Sequence, residues 1–139
     1  MSDEQLKTLV GRSVTLSVPA TIANLGAGYD VLAMSIDYRN EVTVRVAGLA
    51  AAGATGSVAL VVEGEGLSEL PTDRSNVIVG AIVRGLAAAG VADAERLSLE
   101  IKTLNRIPLA RGLGSSAAAF VGGLFAGAAL AGVRMALGW

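Results

Sequence analysis

From Leu113 to Val133 the chain carries no charged side chain, and the stretch is dominated by alanine and glycine. Such a segment has two possible homes. It can cross a bilayer, which takes about 20 apolar residues, or it can form a helix buried against a sheet. Alanine and glycine transfer only weakly into lipid, the stretch opens with Gly114-Ser115-Ser116, and Arg134 closes it. Small side chains suit close packing on protein, so the expectation is a buried helix from Ser116 to about Met135, with no membrane span.

A helix of this kind needs a sheet to lie on, and alternating residues upstream supply one. Val14, Leu16 and Val18 alternate with Ser13, Thr15 and Ser17, the period of a half-buried strand, with Pro19 expected to end it. Ala20 to Asp30 reads as a loop and Val31 to Asp37 as apolar and extended. Val42, Val44 and Val46 give a second alternating run. Residues 47–57 are rich in alanine and glycine and read as a flexible connection, before a strand from Val58 to Glu63 and a turn at Gly64–Gly66. Val77, Ile78, Ala81, Ile82, Gly85, Leu86 and Ala89 recur near every 3.6 residues. They predict a helix over 76–89, capped by Asp73 or Ser75 and stopped at Gly90. Leu97, Leu99 and Ile101 form another strand. The sum is an α+β domain with a mixed or antiparallel sheet packed with helices.

Composition excludes several kinds of chemistry. The 139 residues contain no histidine and no cysteine, so His-based triads, zinc–histidine sites, thiolate metal sites and disulfides are ruled out. Lys plus Arg is 11 against 12 Asp plus Glu, a net charge of -1, which gives no basic excess for nucleic acid. The polar, acidic N-terminus does not read as a signal peptide, so a cytoplasmic location is expected.

Two constellations remain. In Gly112-Leu113-Gly114-Ser115-Ser116, glycines let backbone amides turn inward, and the helix that follows adds unpaired N–H groups and the positive end of its dipole. Such a turn suits a phosphate, with Arg111 as nearby positive charge and the serine hydroxyls for phosphate oxygens or a phosphate-bound Mg²⁺. No lysine sits where a Walker A loop needs one. Gly112-x-Gly114-x-x-Ala117 fits a loose dinucleotide fingerprint, but no acidic residue follows it. A plain helix-capping turn is the remaining reading. Upstream, Asn24 and Asp30 flank Gly26-Ala27-Gly28. The amide and carboxylate together suit a small zwitterion, and an Asx-type turn satisfying its own backbone is the competing reading.

Taken together, the two stretches resemble a known family. Val18-Pro-Ala-Thr-Ile-Ala-Asn-Leu-Gly-Ala-Gly-Tyr-Asp-Val31, followed by Asp37-Tyr-Arg-Asn-Glu-Val42, is similar to the first motif of the homoserine kinases. Ile107-Pro-Leu-Ala-Arg-Gly-Leu-Gly-Ser-Ser-Ala-Ala118 resembles the phosphate loop shared by the GHMP kinases. The likeness implies that Pro108, Arg111, Gly112, Leu113, Gly114, Ser115 and Ser116 wrap the ATP phosphates, with Ser116 (or Ser115) touching Mg²⁺. It implies that Asn76 lies near the adenine and that Asn24 and Asp30 hold homoserine, Asp30 beside the amino group. The reaction implied is γ-phosphoryl transfer to the homoserine side-chain hydroxyl, with no dedicated catalytic base. Ile22 and Ala27 depart from the family's usual residues. Family members run to about twice this length, so the resemblance implies an incomplete ATP-binding domain, residues 1–139, with no meaningful kinase activity alone. A helix left partly bare implies self-association or a homodimer. A mevalonate- or threonine-type kinase of the same superfamily, or a non-catalytic nucleotide-binding remnant, are the alternatives.

Overall fold

The structure, a computed structural model, describes residues 1–134. Its elements run α1 (Asp3–Lys7), β1 (Ser13–Ala23), β2 (Ala33–Leu49), β3 (Val58–Gly64), α2 (Val77–Ala88), β4 (Leu97–Asn105) and α3 (Ser115–Leu130), with short 3-10 turns at Gly26–Val31 and Ala94–Arg96. The four strands form one mixed sheet in the order β1-β2-β4-β3. β1 with β2 and β2 with β4 are antiparallel, while β3 runs parallel to β4, to which α2 connects it. The α+β expectation with a mixed sheet holds.

The two-residue period decides which sheet face is covered. Val42, Val44 and Val46 of β2, Leu60 and Val62 of β3, and Leu97, Leu99 and Ile101 of β4 are buried, together with Ile78, Val79, Ile82 and Leu86 of α2 and Ala126 and Leu130 of α3. Each valine, leucine or isoleucine among them contributes roughly 1.5–3 kcal/mol when fully buried. The opposite face stays open and polar. Thr15 Oγ1 and Thr43 Oγ1 share a hydrogen bond at 2.9 Å, and Arg45–Glu100, Lys102–Glu63 and Arg106–Glu41 form exposed ion pairs at 2.9, 3.1 and 2.9 Å.

The sheet is more continuous than the sequence suggests. Pro19 does not end β1: the ladder with β2 slips between Pro19 and Ala20 and then resumes to Ala23. A bulge absorbs the proline's missing donor. The extended run after Val31 and the valine run at 42–46 are one 17-residue strand, β2. Residues 47–49 belong to that strand, and the rest of the connection is tied down. Ala50 N–H donates to the Arg96 carbonyl at 2.8 Å, and Gly56 N–H to the Glu95 carbonyl at 2.9 Å.

Both long helices end in the same way. Gly90 and Gly132 take positive φ, and the residues after them, Val91 and Val133, donate back to the carbonyls of Leu86 and Ala128. This Schellman closure stops α3 at Leu130, well short of the expected Met135, which lies outside the described residues. α2 and α3 lie backbone to backbone. A Cβ on Gly85 would run into the Leu124 carbonyl of α3, and one on Gly127 into the Ile82 carbonyl of α2. That approach is what the alanine–glycine composition of α3 serves. Among the described residues no helix is long and apolar enough to cross a membrane.

Candidate functional site

β4 ends at Asn105 and α3 begins at Ser115, and the loop between them carries the glycine-rich motif. Asn40, on the core-facing row of β2, anchors its start. The Asn40 Oδ1 accepts from the backbone N–H groups of Arg106 at 2.8 Å and Ile107 at 2.9 Å, and the side chain is only 3 % exposed. The loop's end is anchored on β1, where Thr21 N–H donates to the Leu113 carbonyl at 3.0 Å. Gly114 has φ 70° and lies so close to Thr21 that any Cβ would strike the threonine hydroxyl. Glycine is therefore required there on two counts, backbone conformation and contact.

Gly114 is also the N-cap of α3, and it offers no side-chain oxygen to the first-turn amides. The contrast with α2 is direct. There Asn76 is the N-cap: its Oδ1 accepts from Ile78 N–H at 3.1 Å, and its Nδ2 donates to the Pro71 carbonyl at 2.8 Å. The expected caps, Asp73 and Ser75, instead bond each other, with Asp73 Oδ1 accepting from Ser75 N–H at 2.8 Å and Ser75 Oγ at 2.6 Å. Ser75 is thereby the cause of a lowered Asp73 pKa. An uncapped helix start behind a glycine loop leaves N–H donors and a positive dipole end for an anion.

Around this helix start the predicted phosphate residues fall in one region. Pro108 and Leu113 to Ser115 are half-buried, Gly112 and Ser116 are exposed, and Arg111 is exposed with no ion pair among the described residues. Ser115 and Ser116 line a pocket with Asn76, Val77 and Ile78 at the start of α2, so the N-termini of two helices converge on it. Leu70, Leu109 and Val42 supply apolar wall, and Asn40, Thr103 and Asn105 supply polar groups. No carboxylate lines this pocket, and no group of three or more acidic residues among the described residues is placed to hold a metal. The donor set fits an anion, and fits Mg²⁺ only as one serine oxygen added to a cation already held by phosphates.

The second constellation sits past the bulge, on the connection between β1 and β2. Asn24 (φ 57°) and Tyr29 (φ 41°) both adopt left-handed backbone. With its amide set to match its surroundings, Asn24 Nδ2 donates to Asp30 Oδ1 at 2.7 Å and to the Tyr29 carbonyl at 3.1 Å. The spacing thus brings Asn24 and Asp30 into contact, in a turn that satisfies part of its own backbone. Both are exposed. Thr21, three residues before Asn24, joins this strand to the phosphate-loop candidate. Sequence reasoning missed Asn40 and Thr103. The available signal was a polar residue on the inward row of an otherwise apolar strand.

A glycine loop feeding an uncapped helix, on a mixed four-stranded sheet, matches a family pattern. Residues 76–137 match the family model of the GHMP kinases N terminal domain. Over those residues the chain is similar to the GHMP kinases, and its fold is that of their N-terminal domain. It is also similar to homoserine kinases. It is 46% identical over 122 residues to the homoserine kinase of Corynebacterium kroppenstedtii, covering 88% of this chain and 36% of that protein. It is 43% identical over 116 residues to that of Clavibacter michiganensis subsp. michiganensis, covering 84% and 34%. The crystal structure of homoserine kinase from Cytophaga hutchinsonii superposes with a TM-score of 0.69 at 32% identity, over 89% of this chain and 37% of that one. The chain therefore spans about a third of the length of the curated relatives it matches.

Proposed function

We propose that this chain is the ATP-binding part of a homoserine kinase, which transfers the γ-phosphoryl group of ATP to the side-chain hydroxyl of L-homoserine. The observation that carries this reading is the uncapped start of α3 behind a loop fixed at both ends, by Asn40 and by Thr21. The first-turn amides and Arg111 take the phosphates. Ser116, or Ser115, adds one oxygen to the Mg²⁺ that accompanies the nucleotide and neutralises its charge. The apolar walls beside Asn76 take the base. Asn24 and Asp30 hold homoserine, with the carboxylate facing the substrate ammonium.

In the transfer, the homoserine hydroxyl oxygen forms a bond to the γ-phosphorus as the bond to the β-phosphate oxygen breaks. The hydroxyl proton passes to solvent water, and the products are ADP and O-phosphohomoserine. Catalysis of this kind rests on positioning and charge neutralisation rather than on a strong base. Both substrates are small and water-soluble, and a cytoplasmic location goes with them.

With no carboxylate beside the serines, this chain by itself is expected to bind nucleotide and to transfer phosphate negligibly. The test is a titration of Mg–ATP into the isotope-labelled chain, followed by the amide NMR signals of residues 112–116, alongside a coupled assay with homoserine. Shifts at those amides without turnover are the expected result. Unmoved amides at millimolar nucleotide would remove the phosphate site, and turnover at an ordinary enzyme rate would overturn the expectation that the chain alone is inactive.

A further inference from the structure

β3 forms one rim of the sheet, and its sequence is Val58-Ala59-Leu60-Val61-Val62-Glu63-Gly64. In a parallel pair, alternate residues turn their N–H and C=O groups toward the neighbouring strand. The Ser57 carbonyl accepts from Leu99 N–H at 2.9 Å, and Glu65 N–H donates to the Asn105 carbonyl at 2.8 Å, so the odd-numbered residues of β3 face β4. The backbone groups of Val58, Leu60 and Val62 therefore point away from the sheet, and they have no backbone partner among the described residues.

A bare rim is a template for another strand unless proline, lysine, a bulge or a cover blocks it. β1, the other rim, carries such guards. Pro19 has no N–H to offer, the ladder slips beside it, and Thr21 N–H is taken by the Leu113 carbonyl. β3 has no proline, no lysine and no slip in its register. Its one charged residue, Glu63, is paired within the chain to Lys102 at 3.1 Å.

We propose that β3 is a docking edge for β3 of a second copy of this chain, paired antiparallel about a two-fold axis at Val61, the midpoint of the strand. The case for a second copy is that this rim is complementary to itself, as a two-fold contact requires. Pairing about Val61 sets Leu60 opposite Val62 of the second copy on the helix-covered face. On the open face Val61, 54 % exposed in the single chain, meets Val61 of the second copy. Glu63 lies opposite Ala59, so the two acidic residues stay apart. The outward groups of Leu60 and Val62 gain partners, and two four-stranded sheets become one continuous sheet.

The chain has no cysteine, so a single introduced thiol reports on a single position. Directly opposed residues in a non-hydrogen-bonded antiparallel pair have Cα atoms about 4.5 Å apart, within reach of a disulfide. Val61→Cys is compared with Thr15→Cys, an exposed position on β1. Each is oxidised mildly at micromolar chain and followed on non-reducing gels. Val61→Cys should form covalent dimer about tenfold faster, because pairing holds its two thiols together. Sedimentation velocity of wild type and Val61→Lys gives a second readout. Two lysines face to face should weaken the dimer about tenfold, with circular dichroism confirming that the variant folds. Equal cross-linking rates would overturn the proposal, whether or not the chain associates through other surfaces. A wild-type chain that sediments as a monomer at the highest concentration would also overturn it, as would an unaltered dimer constant in Val61→Lys. Were Val61→Lys not to fold, the cross-linking comparison alone would decide.

Discussion

Asn40 holds the start of the glycine loop with a single oxygen that accepts from two consecutive backbone amides. Replacing it by alanine would leave the buried Ile107 donor and the part-buried Arg106 donor without a partner. Asn40→Ala should therefore cost about 2–4 kcal/mol of stability by urea unfolding, and should loosen the loop enough to weaken Mg–ATP binding. The residue was visible in the sequence as part of Arg39-Asn40-Glu41-Val42, but a strand's period identifies its inward row and not what an inward amide is for. The glycine-serine turn was easier to read, because φ above zero at Gly112 and Gly114 is a local demand that sequence states directly. Asn24 and Asp30 are intermediate. Their contact follows from the tight turn between them, while their use does not. On the proposed reading, Asp30→Asn in a kinase that contains this chain should raise the homoserine KM about ten- to a hundredfold, the worth of a hydrogen bond to a charged group, with the KM for ATP unmoved. Steady-state kinetics with each substrate varied separately would check the split.

At the scale of elements, α2 was legible with its ends, since Gly90 announces a Schellman stop and the 3.6 period marks its buried side, whereas the five-residue α1 is too short to show a period and was not read as a helix. α3 came out shorter than its apolar run because Gly132 closes it and Arg12 Nη1 donates to the Leu130 carbonyl at 3.0 Å. Its glycines set its distance from α2. Gly127→Ala would drive a methyl group into the Ile82 carbonyl, and the helices would have to part. A loss of about 1–3 kcal/mol, the usual range for overpacking, is expected in chemical denaturation. α1 is held by a different kind of tie. Arg96 Nη1 bonds Asp3 Oδ1 at 2.8 Å, and this hydrogen bond, with the guanidinium's charge, holds the Asp3 carboxyl below its ordinary value. A carboxyl depressed on folding adds stability above its unfolded pKa and loses it as pH falls through the folded value. Stability should thus decline below about pH 4 partly through this pair, and Asp3→Asn should flatten that part of an acid titration followed by circular dichroism.

For the whole molecule, the class of fold was legible while the strand order was not. Strand propensity and alternation identify each strand singly, but β1-β2-β4-β3 depends on pairings between distant segments, and β3 reaches its place beside β4 only because α2 carries the chain over the sheet. The same scale shows two apolar areas facing solvent. Tyr29, Val31, Leu32 and Met34 are exposed on and beside the β1–β2 connection, and Val121, Phe125 and Val133 are exposed on and after α3. Patches of this kind favour association. The chain should show concentration-dependent oligomers in light scattering, reduced in Leu32→Asp or Phe125→Ser, and a clean monomer at high concentration would contradict this.

The bond from Thr21 to Leu113 makes the two loops jaws on a common pin. On the proposed reading, what grips the acceptor molecule on one side would not drift from what grips the donor on the other without shearing a peptide group from its mate. The gap between the two loops is thus gauged by the backbone itself, and a slip of one rung in the β1–β2 ladder would reset it for both jaws at once.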